Sequence, residues 1–459
     1  MKWTGKVKLF FIGVLLVPMV WVSAKSADKP NVLLILVDDM GYGDVGFNGC
    51  KDIPTPNIDS IAANGVHFKQ GYVTAPQCAP SRAGLLSGMS QSRFGREENK
   101  IIDKMGISAS VKQFGDYMHD AGYRTGIVGK WHQGAMEGCH PLERGFDWFY
   151  GFLPGSTYFM PTGKAKFIPH IQENGVRQQV TDYLTFVLGD KAMEFITQDS
   201  EKPFFLYLAF NAPHAPLQAP QEYLDRFEHL TKVPDTINYI ERQKLEHPRQ
   251  VYAAMVAALD DTIGRILTML REKGMEENTV IWFLSDNGGP TVVTSADNGP
   301  LRGEKGDLLE GGARVPFAMQ WKGTVPAGQT VDTPVSSLDL LPSSLAAAGA
   351  AVPANLDGLD LLPMIRDGGD LPERSICWRF PHPPPTPVWA IRSGEWKLVH
   401  EAIRTPKPRG FSWGGERTGL YRLSDDIHED NDLSAQYPEV RERLQKEYDQ
   451  WNKTLPAEK

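Results

Sequence analysis

Asn31-Val-Leu-Leu-Ile-Leu-Val37 runs straight into Asp38-Asp39. From Val32 to Val37 the run is apolar without a break, so it lacks the alternation of a strand with one wet face. Such a run suits a strand covered on both sides, as in a parallel sheet between two layers of helices. Phe204 to Phe210 and Thr279 to Leu284 repeat the pattern, and Tyr123 to Val128 is a further strand. Val66 to Val73 and Val315 to Trp321 read as two more. Between them lie helical stretches at Pro56–Ala63, Val111–Ala121, Asp182–Thr197 and Gln250–Lys273, three of which are followed closely by glycine. This alternation predicts an α/β fold with a large, mostly parallel sheet sandwiched by helices.

Four of the strands stop just before a polar cluster. The clusters are Asp38-Asp39, Lys130 with His132, Asn211-Ala212-Pro213-His214, and Asp286-Asn287-Gly288-Gly289. Open α/β sheets bind ligands beyond the carboxyl ends of their strands, so these scattered clusters could meet at one edge. Asp38, Asp39, Asp286 and Asn287 offer only oxygen, which suits a hard cation such as Ca²⁺ and disfavours zinc. Taken singly, each also reads as an ordinary turn or a solvated loop. His132 and His214 are the acid–base candidates. His214 is set apart by the prolines on either side of the His-Ala pair, directly after a buried strand. Arg82, Lys130 and Lys305 are the candidate anion-binding cations.

Cys78-Ala-Pro-Ser-Arg-Ala-Gly-Leu-Leu-Ser-Gly88 places a thiol ahead of a short helix, with Ser81 and Arg82 opening it and Gly88 ending it. Unpaired N–H groups at a helix start favour negative charge there. A single buried thiol beside a helix is commonly only a small hydrophobe. The spacing Cys-x-Pro-Ser-Arg followed by Leu-x-Gly is more specific, and it resembles the signature of the formylglycine-dependent (type I) sulfatases. The resemblance extends through Asp38-Asp39, Gly129 to His132, Pro213-His214, Asp286-Asn287-Gly288, and Lys305 with Glu310-Gly311-Gly312. It implies an alkaline-phosphatase-like fold. It also implies a Cys78 oxidised by a maturation enzyme to formylglycine (3-oxoalanine), and one Ca²⁺ held by Asp38, Asp39, Cys78, Asp286 and Asn287. In such enzymes the hydrated aldehyde attacks sulfur with one hydroxyl and expels sulfate by deprotonation of the other. By the same resemblance Asp286 assists the attack, His132 takes the second proton, and His214 with Lys305 serves the leaving oxygen. Arg82, Lys130 and Lys305 stabilise the sulfuryl charge, and Ser156 is a loose match to a residue near the sulfate. Gln133 stands where a Leu often follows and is read as a substrate-side difference.

The chain has 459 residues, with 48 Lys and Arg against 56 Asp and Glu, a formal charge of −8. Lys2, Lys6 and Lys8 precede an apolar run from Leu9 to Val22, and Ser23-Ala24 offers small residues for cleavage. Residues 1–24 therefore read as a signal peptide of an exported, periplasmic or secreted protein, too short to span a membrane. Its removal takes away three lysines and leaves a formal charge of −11. So acidic a protein is a poor nucleic-acid binder, and an anionic substrate must be drawn by a local pocket. Cys78 apart, Cys50, Cys139 and Cys377 allow at most one disulfide, with the pairing open. Residues 25–349 read as the catalytic domain. Residues 350–459 read as a smaller antiparallel α+β unit, with a proline-rich loop at 381–387, a hairpin over Trp389–His400, a short strand at Gly419–Leu423 and a terminal helix.

Sulfatase action on a sulfated polysaccharide or oligosaccharide is the expected function. A phosphatase or phosphodiesterase of the same fold is one rival, which would want a Ser or Thr nucleophile and His metal ligands. A non-catalytic binder of sulfated glycans is another, with Cys78 left as thiol. Arg93, Arg96, His170, Trp378 and Arg379 are candidate sugar-binding residues.

Overall fold

The computed structural model describes residues 1–5, 29–161, 167–231, 245–380, 388–407 and 410–456. Most of the expected signal peptide and the proline-rich stretch 381–387 lie outside the described residues.

The first half of the chain carries β1 (Asn31–Val37), β2 (Val66–Phe68), β3 (Gly71–Tyr72), β4 (Arg124–Lys130), β5 (Trp148–Phe152), β6 (Gln172–Glu173), β7 (Val176–Arg177) and β8 (Phe204–Ala209). The second half adds β9 (Thr279–Ser285), β10 (Phe317–Gln320), β11 (Gln329–Val331) and β12 (Val335–Ser336). Ten of these form one sheet in the order β11-β2-β10-β9-β1-β8-β4-β5-β6-β7. Its centre, β9-β1-β8-β4-β5, is parallel throughout, while β10 runs antiparallel beside β9. The expected strand over Val66–Val73 splits, its second part pairing with β12 in a separate two-stranded sheet.

Both faces of the sheet are covered, which explains the unbroken apolar runs. Leu33, Ile35, Val37, Leu206 and Leu208 point into one core with helices α1 (Pro56–Ala63), α5 (Leu184–Ile196) and α6 (Pro248–Glu272). Val32, Leu34, Leu36, Phe205 and Tyr207 point into the other, under α2 (Cys78–Ser87), α4 (Phe114–Asp120) and α8 (Leu340–Ala347). Two further helices, α3 (Asn99–Met105) and α7 (Glu310–Ala313), flank the carboxyl ends of the strands. Helix α2 starts at Cys78 itself, three residues earlier than Ser81 suggested, because Pro80 is tolerated in a first turn. It ends at Gly88, whose φ of +65° few other residues adopt.

A four-stranded antiparallel sheet follows: β13 (Ser375–Phe380), β14 (Val388–Ser393), β15 (Trp396–Lys407) and β16 (Gly410–Arg422), covered by α9 (Pro438–Asn452). The short strand expected at Gly419 is the last part of β16. This sheet is tied to the rest by a buried charge cluster. Glu310 of α7 accepts from Lys397 Nζ of β15 at 2.8 Å and from the Tyr72 hydroxyl of β3 at 2.7 Å. Lys397 also lies 3.1 Å from Glu429, whose other oxygen accepts from the Glu310 amide. Trp378 is buried with its indole N–H on the Val73 carbonyl, and Arg379 is buried on Glu97. Neither is available to a substrate, which corrects the expectation for both.

Candidate functional site

Strands β9, β1, β8 and β4 are neighbours, parallel and in register, with Ser285 opposite Val37, Leu36 opposite Ala209, and Ala209 opposite Gly129. Their carboxyl ends therefore line up, and the four polar clusters that follow them converge. Cys78 meets them from the start of α2.

Three carboxylates and three cations interleave there. Lys130 Nζ lies 2.6 Å from Asp38 Oδ2, and Arg82 Nε 2.8 Å from Asp286 Oδ2, all four side chains fully buried. Lys305 Nζ bridges both oxygens of Asp39, at 2.7 and 2.9 Å, and reaches Cys78 Sγ at 3.0 Å. Asn287 donates to Asp39 Oδ1 at 2.6 Å. Burial alone would push the Cys78 thiol up, but Lys130 and Lys305 outweigh it and hold the thiol well below its ordinary range. Burial likewise opposes ionisation of Asp39, and Lys305 with His214 overcomes it. For Asp286 burial and the neighbouring Asp38 win, and its pKa rises.

His214 Nε2 lies 3.5 Å from Asp39 Oδ2, while Nδ1 is held by the Ala215 carbonyl. Burial disfavours its charged ring, but Asp38 and Asp39 raise its pKa. Asp38, Asp39, Cys78 and His214 bring their ligand atoms within 4.8 Å of one another. His214 thus joins a cluster whose ligand set was read as oxygen and the modified Cys alone. Two oxygens test the fit to a hard cation. Asp38 Oδ1 and Asn287 Oδ1 are buried and find no hydrogen-bond partner among the described residues. Buried oxygens left open beside two further carboxylates suit Ca²⁺, which takes six to eight oxygen ligands.

His132 adopts a left-handed backbone, φ +54°, at the end of β4. Its Nε2 is 3.2 Å from Asp103 Oδ1 of α3, a residue the sequence reading missed because α3 carries no motif. Gly155 lies on the ring, where an added Cβ would come within 2.6 Å of Nε2. Gln133 is buried and its amide N–H₂ donates to the carbonyls of Ala79 and His132. It joins the Cys78 turn to the His132 turn, and its Oε1 is buried without a hydrogen-bond partner among the described residues. Ser156 is exposed, next to Gly155. Arg93 is paired with Asp357 and Arg96 with the Gly106 carbonyl. None of the four cysteines is in a disulfide, so the one pairing allowed among Cys50, Cys139 and Cys377 is not made.

The family model for sulfatases matches residues 30–350, a span that holds every residue of the cluster. The chain belongs to the sulfatase family. It is a sulfuric ester hydrolase of the type I class, in the alkaline phosphatase superfamily. N-acetylgalactosamine-6-sulfatase of Canis lupus familiaris is 34% identical over 386 residues, 78% of this chain and 69% of that one. Arylsulfatase J of Mus musculus is 31% identical over 94% of this sulfatase and 77% of its own length. Among solved structures, Ps i-CgsB in complex with k-i-k-neocarrahexaose superposes with a TM-score of 0.83 at 34% identity, covering 94% of each chain. Among the described residues of this sulfatase no helix is long and apolar enough to cross a membrane.

Proposed function

We propose that this sulfatase, exported after loss of residues 1–24, removes sulfate from a sulfated polysaccharide or oligosaccharide. The reading includes a formylglycine made from Cys78 by a maturation enzyme, and one Ca²⁺ held by Asp38, Asp39, Asp286, Asn287 and residue 78. The observation that carries it is Cys78 at a helix start, 3.0 Å from Lys305 and beside carboxylates with unpartnered oxygens. The relative bound to a neocarrahexaose makes a sulfated galactan the first substrate class to test.

Formylglycine supplies an aldehyde whose hydrate carries two hydroxyls, and Ca²⁺ supplies positive charge for the sulfuryl oxygens. The remaining work falls to this chain's own side chains. Lys130 and Lys305 neutralise charge on the sulfuryl group in flight. Arg82 holds the Asp286 carboxylate in place to assist the attacking hydroxyl. His132, steadied by Asp103, takes the proton from the other hydroxyl. His214 gives its Nε2 proton to the leaving oxygen, a role that its raised pKa supports. A phosphatase reading fits less well, since a cysteine stands where a Ser or Thr nucleophile belongs.

Sulfate release from sulfated galactan oligosaccharides, with mass spectrometry over the Cys78 peptide, tests the reading. An aldehyde in place of the thiol together with released sulfate is the expected outcome; an unmodified thiol with no release leaves only a glycan-binding role. His214→Ala is expected to cost roughly 10²-fold or more in kcat/KM on a sugar sulfate, the usual scale of general acid help. A nitrophenyl sulfate has a good leaving group and should lose clearly less. Equal losses on both esters would make His214 a sulfate ligand instead of an acid. Asp103→Ala is expected to lower kcat roughly tenfold, as when a partner that orients a site imidazole is removed. KM should change little, and Asp103→Asn, which keeps an acceptor oxygen, should recover part of the rate. An unchanged kcat in Asp103→Ala would show that the ring is held without it.

A further inference from the structure

A cavity lies against the loop that packs on His132. It measures about 430 Å³, and its lining includes Ala135, Leu153, Pro154, His170, Gln172 and Arg177. Sites for small organic ligands run from about 300 to 1,000 Å³, so one sugar ring fits. This loop follows β5. The Leu153 carbonyl accepts from the His132 amide at 3.1 Å, and two residues on Gly155 lies against the His132 ring.

The opposite wall is preformed. It is the β6–β7 hairpin, whose turn residue Asn174 exchanges hydrogen bonds with the Phe149 backbone in both directions. Gln172 is held by His140 at 3.3 Å. Glu173, the nearest acid on the hairpin, is occupied by Trp148 Nε1 and Lys191. Arg177 is different. Its guanidinium lies over the Phe167 ring, 5.0 Å from the centroid, and no carboxylate among the described residues pairs with it. It is an exposed, oriented guanidinium, whose fork of N–H donors matches a sulfate. His170, also exposed, is held at φ +68°, a conformation costly for a non-glycine residue and frequent at ligand sites. Leu153, Pro154 and Ala135 offer an apolar floor for the C–H face of a pyranose.

We propose that this cavity is a subsite for the sugar next to the one being desulfated, in which Arg177 binds that sugar's own sulfate and His170 its hydroxyls. The proposal rests on the sulfated-glycan reading above.

The test measures binding by calorimetry in protein carrying Cys78→Ala, which does not consume its ligand. The probes are k-i-k-neocarrahexaose and a galactose monosulfate. The hexaose is expected to bind at least tenfold more tightly than the monosulfate. Adding Arg177→Ala should remove most of that advantage, about tenfold for a lost charge-assisted contact, and leave the monosulfate affinity within about twofold. Arg177→Lys should restore part of it, and His170→Ala should weaken the hexaose alone. Hexaose affinity unaltered by Arg177→Ala overturns the subsite. So does an equal loss for both probes, or a hexaose held no more tightly than the monosulfate. Should the wild-type protein release no sulfate from any ester while Arg177-dependent hexaose binding persists, the subsite stands and the hydrolytic reading falls.

Discussion

Cys78→Ser is expected to end multiple turnover, with a loss in kcat/KM on the order of 10⁴-fold or more, the scale of removing an essential nucleophile. The fold should be untouched, because the exchange replaces one buried small group by a slightly smaller one. The chemistry explains the size of the effect. A serine hydroxyl can attack sulfur and displace the alcohol, but it then holds a sulfate ester with no second hydroxyl on the same carbon. The ester has to be hydrolysed at sulfur, without the elimination that a hydrated aldehyde allows. Lys130, Lys305 and Arg82 are still in place for the first half of the reaction. The expected product is therefore a protein heavier by one sulfuryl group at residue 78, seen by peptide mass spectrometry. Full multiple-turnover activity in Cys78→Ser would sink the formylglycine reading.

Removing divalent metal with a chelator is expected to lower kcat about 10³-fold, since a metal's charge stabilisation of a transition state amounts to several kcal/mol. Ca²⁺ should restore the rate. The stripped protein should stay folded, because Asp38, Asp39 and Asp286 keep Lys130, Lys305 and Arg82 as counter-charges. Ca²⁺ added back should raise Tm with its concentration, as for any ligand that binds only the native state. That second readout is independent of turnover. Asp38→Ala and Asn287→Ala remove the two oxygens without partners and should each weaken retention of the ion. Rescue by zinc but not by Ca²⁺ would contradict the oxygen-ligand argument and favour the phosphatase rival, and His214 would then be the ligand to examine.

The sequence alone determined the layered sheet and the ends of its strands. An apolar run such as Val32–Val37 can be buried on both faces only between two helical layers, and each such run stops at a polar cluster in plain view. It also determined the family, because the Cys78–Gly88 stretch pairs a rare spacing with a helix start. Tertiary structure alone decided which groups meet. That β9, β1, β8 and β4 are adjacent follows from backbone pairing, which local composition does not encode, and this adjacency brings His214 to Asp39. Asp103 meets His132 through the placement of α3, and its neighbours in sequence carry no mark of it. Trp378 and Arg379 look like sugar-binding residues in one dimension. Their partners, the Val73 carbonyl and Glu97, are about three hundred residues away in the chain, so only the docking of the small sheet buries them. Glu310 shows the same division. Its Gly-Gly neighbours were legible as a motif, whereas its buried contacts with Lys397 and Tyr72 exist because two sheets close over it. A charged residue is stable there only when opposite charges arrive from distant parts of the chain, a condition that is satisfied in space and leaves no local pattern.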